Sequence, residues 1–218
     1  MNPLSEIQEI ARYATPGPEP LGIAFHEGAL WISSREAHRL YALDRARWSI
    51  LEDVATPGAP FGIAVGSDGF RLVIGYGHDD DDRYIFRFVP GRGFDRNGIA
   101  CPDLSGVHLA FAGDTLYLSQ AHNKRVLALS SDGTILRDIP LGRRPVGMTT
   151  VEGRFYFTTV DDAWQTPQFA TLNINDETPH LTALAWLPFG GRALAFDGSR
   201  FWTGDRRQGE IVAFTLPA

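Results

Sequence analysis

The chain has 218 residues, a formal net charge of −6, 44% hydrophobic residues and 21% charged residues. That length suits one domain with a sizeable core, and the acidic balance argues against a nucleic-acid partner, which would call for a basic patch. One cysteine, Cys101, excludes an internal disulfide, and no stretch reaches the roughly 18–20 apolar residues of a membrane-spanning helix.

The first residues, MNPLSEIQEIARYA, lack the basic-then-apolar layout of a signal peptide. A lone thiol also suits a reducing compartment, so a cytoplasmic protein without a membrane partner is expected. Residues 20–44, PLGIAFHEGALWISSREAHRLYALD, then set a pattern of three short strands. His26, Glu27 and Gly28 form a tight turn between the first two, and a polar loop follows the second.

The pattern returns four times. First strands read LGIAF (21–25), FGIAV (61–65), VHLAF (107–111), VGMTT (146–150) and RALAF (192–196). Their spacing, about 40–46 residues, falls in the range of propeller blades. Second strands follow at 30–33, 72–75, 116–119, 155–158 and 201–204, and third strands at 39–43, 84–88, 125–129, 169–172 and 210–214. Fourth strands are expected at 48–55, 134–139 and 181–187, with a weaker one over 94–101. Trp31, Tyr117, Tyr156 and Trp202 recur at one second-strand position and are expected to pack between blades.

The fifth unit shows three strands. Residues 6–14 followed by Thr15-Pro16-Gly17 resemble residues 50–55 followed by Thr56-Pro57-Gly58, so the N-terminal segment is expected to pair with the last blade and close the ring. Closure protects sheet edges that an open array leaves exposed. The expected fold is an all-β, five-bladed propeller in one domain, residues 1–218. Six blades of about 36 residues are the second count.

The repeat PxGIAxxxxGxLWIxxxxxxRLYALD resembles the NHL-type repeat and the blades of virginiamycin B lyases and of the gluconolactonase/strictosidine-synthase superfamily. The resemblance covers nearly the whole chain and implies a propeller whose site lies at the axis. Gluconolactonase-like enzymes carry a metal-binding Glu on a first strand. Here those positions hold Gly22, Gly62, His108, Gly147 and Ala193, none of them a carboxylate. The His/Glu/His set of virginiamycin B lyase-like enzymes has no residue-by-residue counterpart. Plant-type glutaminyl cyclases resemble the chain in blade count, without their acidic first-strand motifs.

Candidate site residues are those that break the repeat at the mouth of the axis. His108 stands where the repeat wants Gly, and Arg192 precedes Ala193 at the equivalent place. An imidazole and a guanidinium there either pair with backbone and loop carboxylates or form an anion or carbonyl site. In the second case Arg192 holds a carboxylate or oxyanion and His108 moves a proton. Leaving the second strand come Ser34, Tyr76, Gln120, Thr159 and Asp205, with Arg35 beside them. They form either a solvated rim or a substrate-orienting set, Asp205 then assisting His108. Trp164, in the long loop DDAWQTPQ (161–168), either covers the tunnel mouth or packs on a neighbouring blade.

Asp79–Asp82 with His78 reads as a self-repelling solvated loop. The alternative is a divalent cation, calcium or magnesium, though the calcium-loop spacing is absent. GxSxG, Walker, CxxC and HExxH motifs are absent too. Two functions follow from these residues. One is a lyase, cyclase or hydrolase acting on a small-molecule ligand at the top face. The other is a non-catalytic propeller that binds a peptide or protein there.

Overall fold

The computed structural model of the protein describes residues 4–217. The chain starts with β1 (Gln8–Ala14). The first blade follows as β2 (Pro20–His26), β3 (Ala29–Ser34), β4 (Arg39–Asp44) and β5 (Ser49–Ala55). The second contains β6 (Ala59–Gly66), β7 (Gly69–Tyr76) and β8 (Asp82–Val89), with an outer strand broken into β9 (Gly93–Phe94) and β10 (Ile99–Ala100). The third is β11 (Leu109–Ala112), β12 (Thr115–Gln120), β13 (Arg125–Leu129) and β14 (Ile135–Pro140). The fourth is β15 (Arg144–Val151), β16 (Arg154–Val160), β17 (Gln168–Leu172) and β18 (Thr182–Trp186). The fifth has β19 (Gly191–Phe196), β20 (Phe201–Asp205) and β21 (Glu210–Thr215).

Each blade is an antiparallel meander, and five of them form the five-bladed propeller. The hairpin turns follow local chemistry. Glu27 and Gly28 adopt φ of 49° and 80°, and Glu152 and Gly153 adopt 50° and 78°. Two successive positive φ values define the turn that matches strand twist in a two-residue hairpin. No helix among the described residues is long and apolar enough to cross a membrane.

The ring closes as the repeat predicts. β1 adds antiparallel to β21 as the fourth strand of the last blade. Just before it, Glu6 bridges Trp186 on the outer strand of the fourth blade. Arg12 on β1 donates to Asp205 (3.0 Å) and Glu210 (2.8 Å) of the fifth blade. Tyr13 stacks on Trp48 with ring centroids 4.2 Å apart, and the Trp48 indole N–H donates to the Ala14 carbonyl, so the first blade grips the closing strand from the far side.

The core is divided into five apolar clusters, one at each blade boundary. The recurring aromatics carry these boundaries. Trp31 packs on Phe70 and Phe88 of the next blade, Tyr117 on Phe155, and Tyr156 on Phe201. Trp202 reaches Phe25 and Trp48 of the first blade. The second blade differs, because Arg71 lies opposite Ala64 as Trp31 lies opposite Ala24. Its side chain turns to Asp68, and a cleft of about 260 Å³ remains between the second and third blades.

One expected boundary shifts. The third blade's inner strand begins at Leu109, not at Val107. There the Val107 amide donates to the Ser119 carbonyl of its own blade (2.9 Å) while the Val107 carbonyl accepts the Gly62 amide of the neighbouring blade (2.8 Å), so one residue bonds to both blades just before the regular ladder begins.

The inner strands meet backbone to backbone around the axis. A Cβ on Gly22 would lie 2.4 Å from the Phe61 carbonyl oxygen, and one on Gly62 would lie 2.5 Å from His108 Cα. One on Gly147 would lie 2.4 Å from the Ala193 carbonyl oxygen. Glycine there is a packing requirement. Gly62→Ala is expected to cost about 1–3 kcal/mol, read as a lowered urea midpoint. Gly190→Ala, with no atom within 4 Å, is expected to stay within about 0.5 kcal/mol of the parent.

Candidate functional site

The strand register defines what belongs at the hub. Ile23, Ile63, Leu109, Met148 and Leu194 are equivalent, so Gly22, Gly62, His108, Gly147 and Ala193 precede them as one ring. One residue earlier, Leu21, Phe61, Val107, Val146 and Arg192 form the next ring toward the top face. Arg192 is the one charged member. Ala193 takes φ of 64°, a left-handed conformation unusual for alanine, where β19 shifts register against β20.

A pocket of about 160 Å³ opens at this end of the axis. Leu21, Phe61, Val107, His108 and Arg192 line it from the hub. Arg35, Arg83 and Arg206, with His122 and Trp164, line it from the loops of all five blades, and Asp81 is the carboxylate in its wall. An acidic chain thus gathers four guanidiniums around one small cavity.

Two of these cations are closely paired with carboxylates. Arg35 donates to Asp80 (2.8 Å) and lies 3.7 Å from Glu19, and Arg206 pairs with Glu19. Arg83 gives its N–H groups to the Asp80 and Gly106 carbonyls and lies flat on Phe61, 3.6 Å from the ring centroid. Arg192 is different. Its guanidinium lies 5.0 Å from the Trp164 ring centroid and makes no hydrogen bond or ion pair among the described residues. Burial and the neighbouring Arg206 charge lower its pKa to about 10.

His108 is 3% exposed, and its Nε2 has no hydrogen-bond partner among the described residues. Burial, reinforced by the Arg192 charge, pushes its pKa down to about 3. The imidazole is therefore neutral near pH 7 and electrostatically coupled to Arg192. Its backbone is fixed by Ser119, whose Oγ accepts the His108 amide (3.1 Å) and whose amide donates to the His108 carbonyl (2.9 Å).

The structure brings together His108, Arg192, Arg35 and Trp164. The other candidates lie outside the cavity, for physical reasons. Ser34, fully buried, donates to the Pro18 carbonyl. Gln120 donates to the Pro102 and Ser105 carbonyls, 2.7 Å each, and accepts from Arg125. Thr159 accepts from Arg143 (3.2 Å). Asp205 accepts from Arg12, on the outer side of the fifth blade, and so does not face His108. These side chains latch loops to strand ends. Tyr76 is displaced differently. Ser34 lies opposite Pro20 and Ile74 lies opposite Pro60, so Tyr76 is two residues beyond the equivalent position. It packs on Tyr84 and Phe86.

The acidic run is consumed by its surroundings. Asp80 binds Arg35, Asp79 lies 3.3 Å from His78, and Asp81 lies 3.6 Å from Arg83. No group of three or more His, Cys, Asp or Glu side chains is placed to hold a metal among the described residues. Cys101 is buried and its thiol is pushed up to about 12 by desolvation.

Arg83 and Arg206 were not legible as site residues in the sequence. Each follows an acidic residue or run, the usual context of a surface ion pair. The signal that could have found them is positional. Arg83 lies at the start of the third strand of its blade and Arg206 directly follows the second strand of its own, both at the top rim.

No protein-family model and no curated protein sequence matches the chain. Solved structures do match in fold. Glutaminyl cyclase from Myxococcus xanthus superposes with a TM-score of 0.73 at 11% identity, over 99% of this chain and 98% of that one. The PQQ-bound aldose sugar dehydrogenase from Streptomyces coelicolor gives 0.66 at 15% identity, over 98% and 82%. Virginiamycin B lyase from Staphylococcus aureus gives 0.55 at 18% identity, over 94% and 69%. The chain thus has a β-propeller fold in common with a cyclase, a dehydrogenase and a lyase.

Proposed function

We propose that the protein is a small-molecule enzyme of the propeller type, acting on an anionic substrate at the top-face mouth of the axis. The observation that carries this reading is the pair at the hub. Among the described residues, Arg192 is largely buried with no carboxylate partner, and His108 beside it keeps an unpartnered ring nitrogen. A buried charge without a partner is costly, and a bound carboxylate or comparable anion removes that cost. The enzyme neighbours support the catalytic part of the reading, and the compact pocket supports a small molecule over a peptide.

The chemistry follows from the coupling. In the free protein the Arg192 charge opposes protonation of His108. An anion docked on Arg192 cancels that opposition. The neutral imidazole then accepts a proton from the substrate at Nε2 and returns it to the departing or newly formed group, as a lyase or cyclase step requires. A second reading, binding without turnover, is favoured by the pKa of about 3, because an imidazole that stays neutral in the complex only donates or accepts a hydrogen bond.

Arg192→Met is expected to weaken binding of small carboxylates by about 10-fold or more, measured by calorimetry, with the fold kept by circular dichroism. Unchanged affinity would remove the basis of the anion site. NMR titration of the His108 ring separates the two readings. An enzyme acting through His108 requires the pKa in the anion complex to approach neutrality, and a binding-only protein leaves it well below that range.

The same histidine sets a stability signature. Its folded pKa, about 3, lies below the unfolded value of 6.5. The unfolded chain therefore takes up the proton first as pH falls. The contribution of His108 is complete above about pH 6.5 and is lost toward pH 3, at up to about 1.4 kcal/mol per pH unit. Urea denaturation from pH 7 to pH 4 is expected to show a shallower loss for His108→Gln than for the parent.

A further inference from the structure

Taking the pocket as an anion site, we infer that its ligand carries two separated anionic groups joined by a short apolar link. The second anionic group belongs on Arg83. That side chain is 12% exposed and rests on Phe61, as Arg192 rests on Trp164. Its nearest carboxylate, Asp81, lies 3.6 Å away and is 83% exposed, a pairing that solvent screens to little. Its remaining contacts are carbonyl oxygens, which are neutral.

The other two guanidiniums of the cavity are already matched by Glu19 and Asp80. Two cations thus remain under-compensated. They come from the second and fifth blades, which are not neighbours in the ring, so they face the cavity from different sides. Between them the floor is Leu21 from the first blade and Val107 from the third, both apolar. A cavity of about 160 Å³ takes a short molecule. A linear dicarboxylate or a phosphorylated short-chain acid matches this arrangement. A single compact anion would satisfy one side and leave the other charge buried.

The test is calorimetric titration of the intact protein with succinate, glutarate, butyrate and inorganic phosphate, repeated on Arg83→Met and Arg192→Met. Succinate or glutarate is expected to bind at least about 10-fold more tightly than butyrate, and either substitution to erase that advantage. Arg83 also ties two loop carbonyls, so thermal melting accompanies its variant. Arg192, which has no such tie, supplies the same readout if the Arg83 variant fails to fold. Equal binding of butyrate and the dicarboxylates overturns the two-anion inference and leaves the anion site standing. Phosphate as the tightest probe does the same in favour of one compact anion. Binding of none of the four overturns both.

Discussion

The structure depends on how closely five inner strands approach one another at the axis. Carbonyl oxygens of one blade sit where a Cβ of the next would have to be, at Gly22 against Phe61 and at Gly147 against Ala193. Backbone contact at the hub fixes the blade count, because a wider ring would open that contact. It also makes any side chain at the hub conspicuous. His108 occupies a ring position that otherwise holds glycine or alanine, and its imidazole is almost wholly enclosed. The chemistry of the site and the packing of the hub are therefore one arrangement.

Around the hub, the top rim is stitched boundary by boundary. Arg206 to Glu19 joins the fifth and first blades, and Arg35 to Asp80 joins the first and second. Arg83 to the Gly106 carbonyl joins the second and third, and Lys124 to Asp162 joins the third and fourth. Between the fourth and fifth the link is Arg192 over Trp164, a cation on an aromatic face. Exposed ion pairs contribute little to stability one at a time. Their effect here is positional, since they hold the loops that frame the cavity. Two of these links, those made by Arg83 and Arg192, use no carboxylate.

Much of the architecture was legible because it repeats. The Gly-apolar-Ala motif marks each inner strand, and the recurring aromatic marks each blade boundary. The weak outer strand of the second blade was legible as weak, and it folds as two fragments. Arg71 in place of the aromatic was the less visible part of the same irregularity. For the site, His108 and Arg192 stood out because they violate the repeat. Ser34, Gln120, Thr159 and Asp205 looked alike in sequence for a different reason. Each recurs at a strand end and satisfies a loop or a guanidinium, and partners distant in the chain are invisible in a single sequence. Arg83 shows the converse. Read alone, it is a cation after four aspartates. In the fold its guanidinium lies over the Phe61 ring, at the start of the strand that follows the turn at His78–Asp80.

The closing strand has a consequence for the order of events in folding. The last blade is assembled from both ends of the described chain, β1 supplying the edge to three strands near the C-terminus. Arg192 and Arg206 belong to that blade, and Glu19, which holds Arg206, sits just after the closing strand. The cavity has no complete wall until the two ends have met. Pairing of β1 with β21 therefore also sets the frame of the top rim, because the residues that line it from the fifth blade stand on the sheet that this pairing completes.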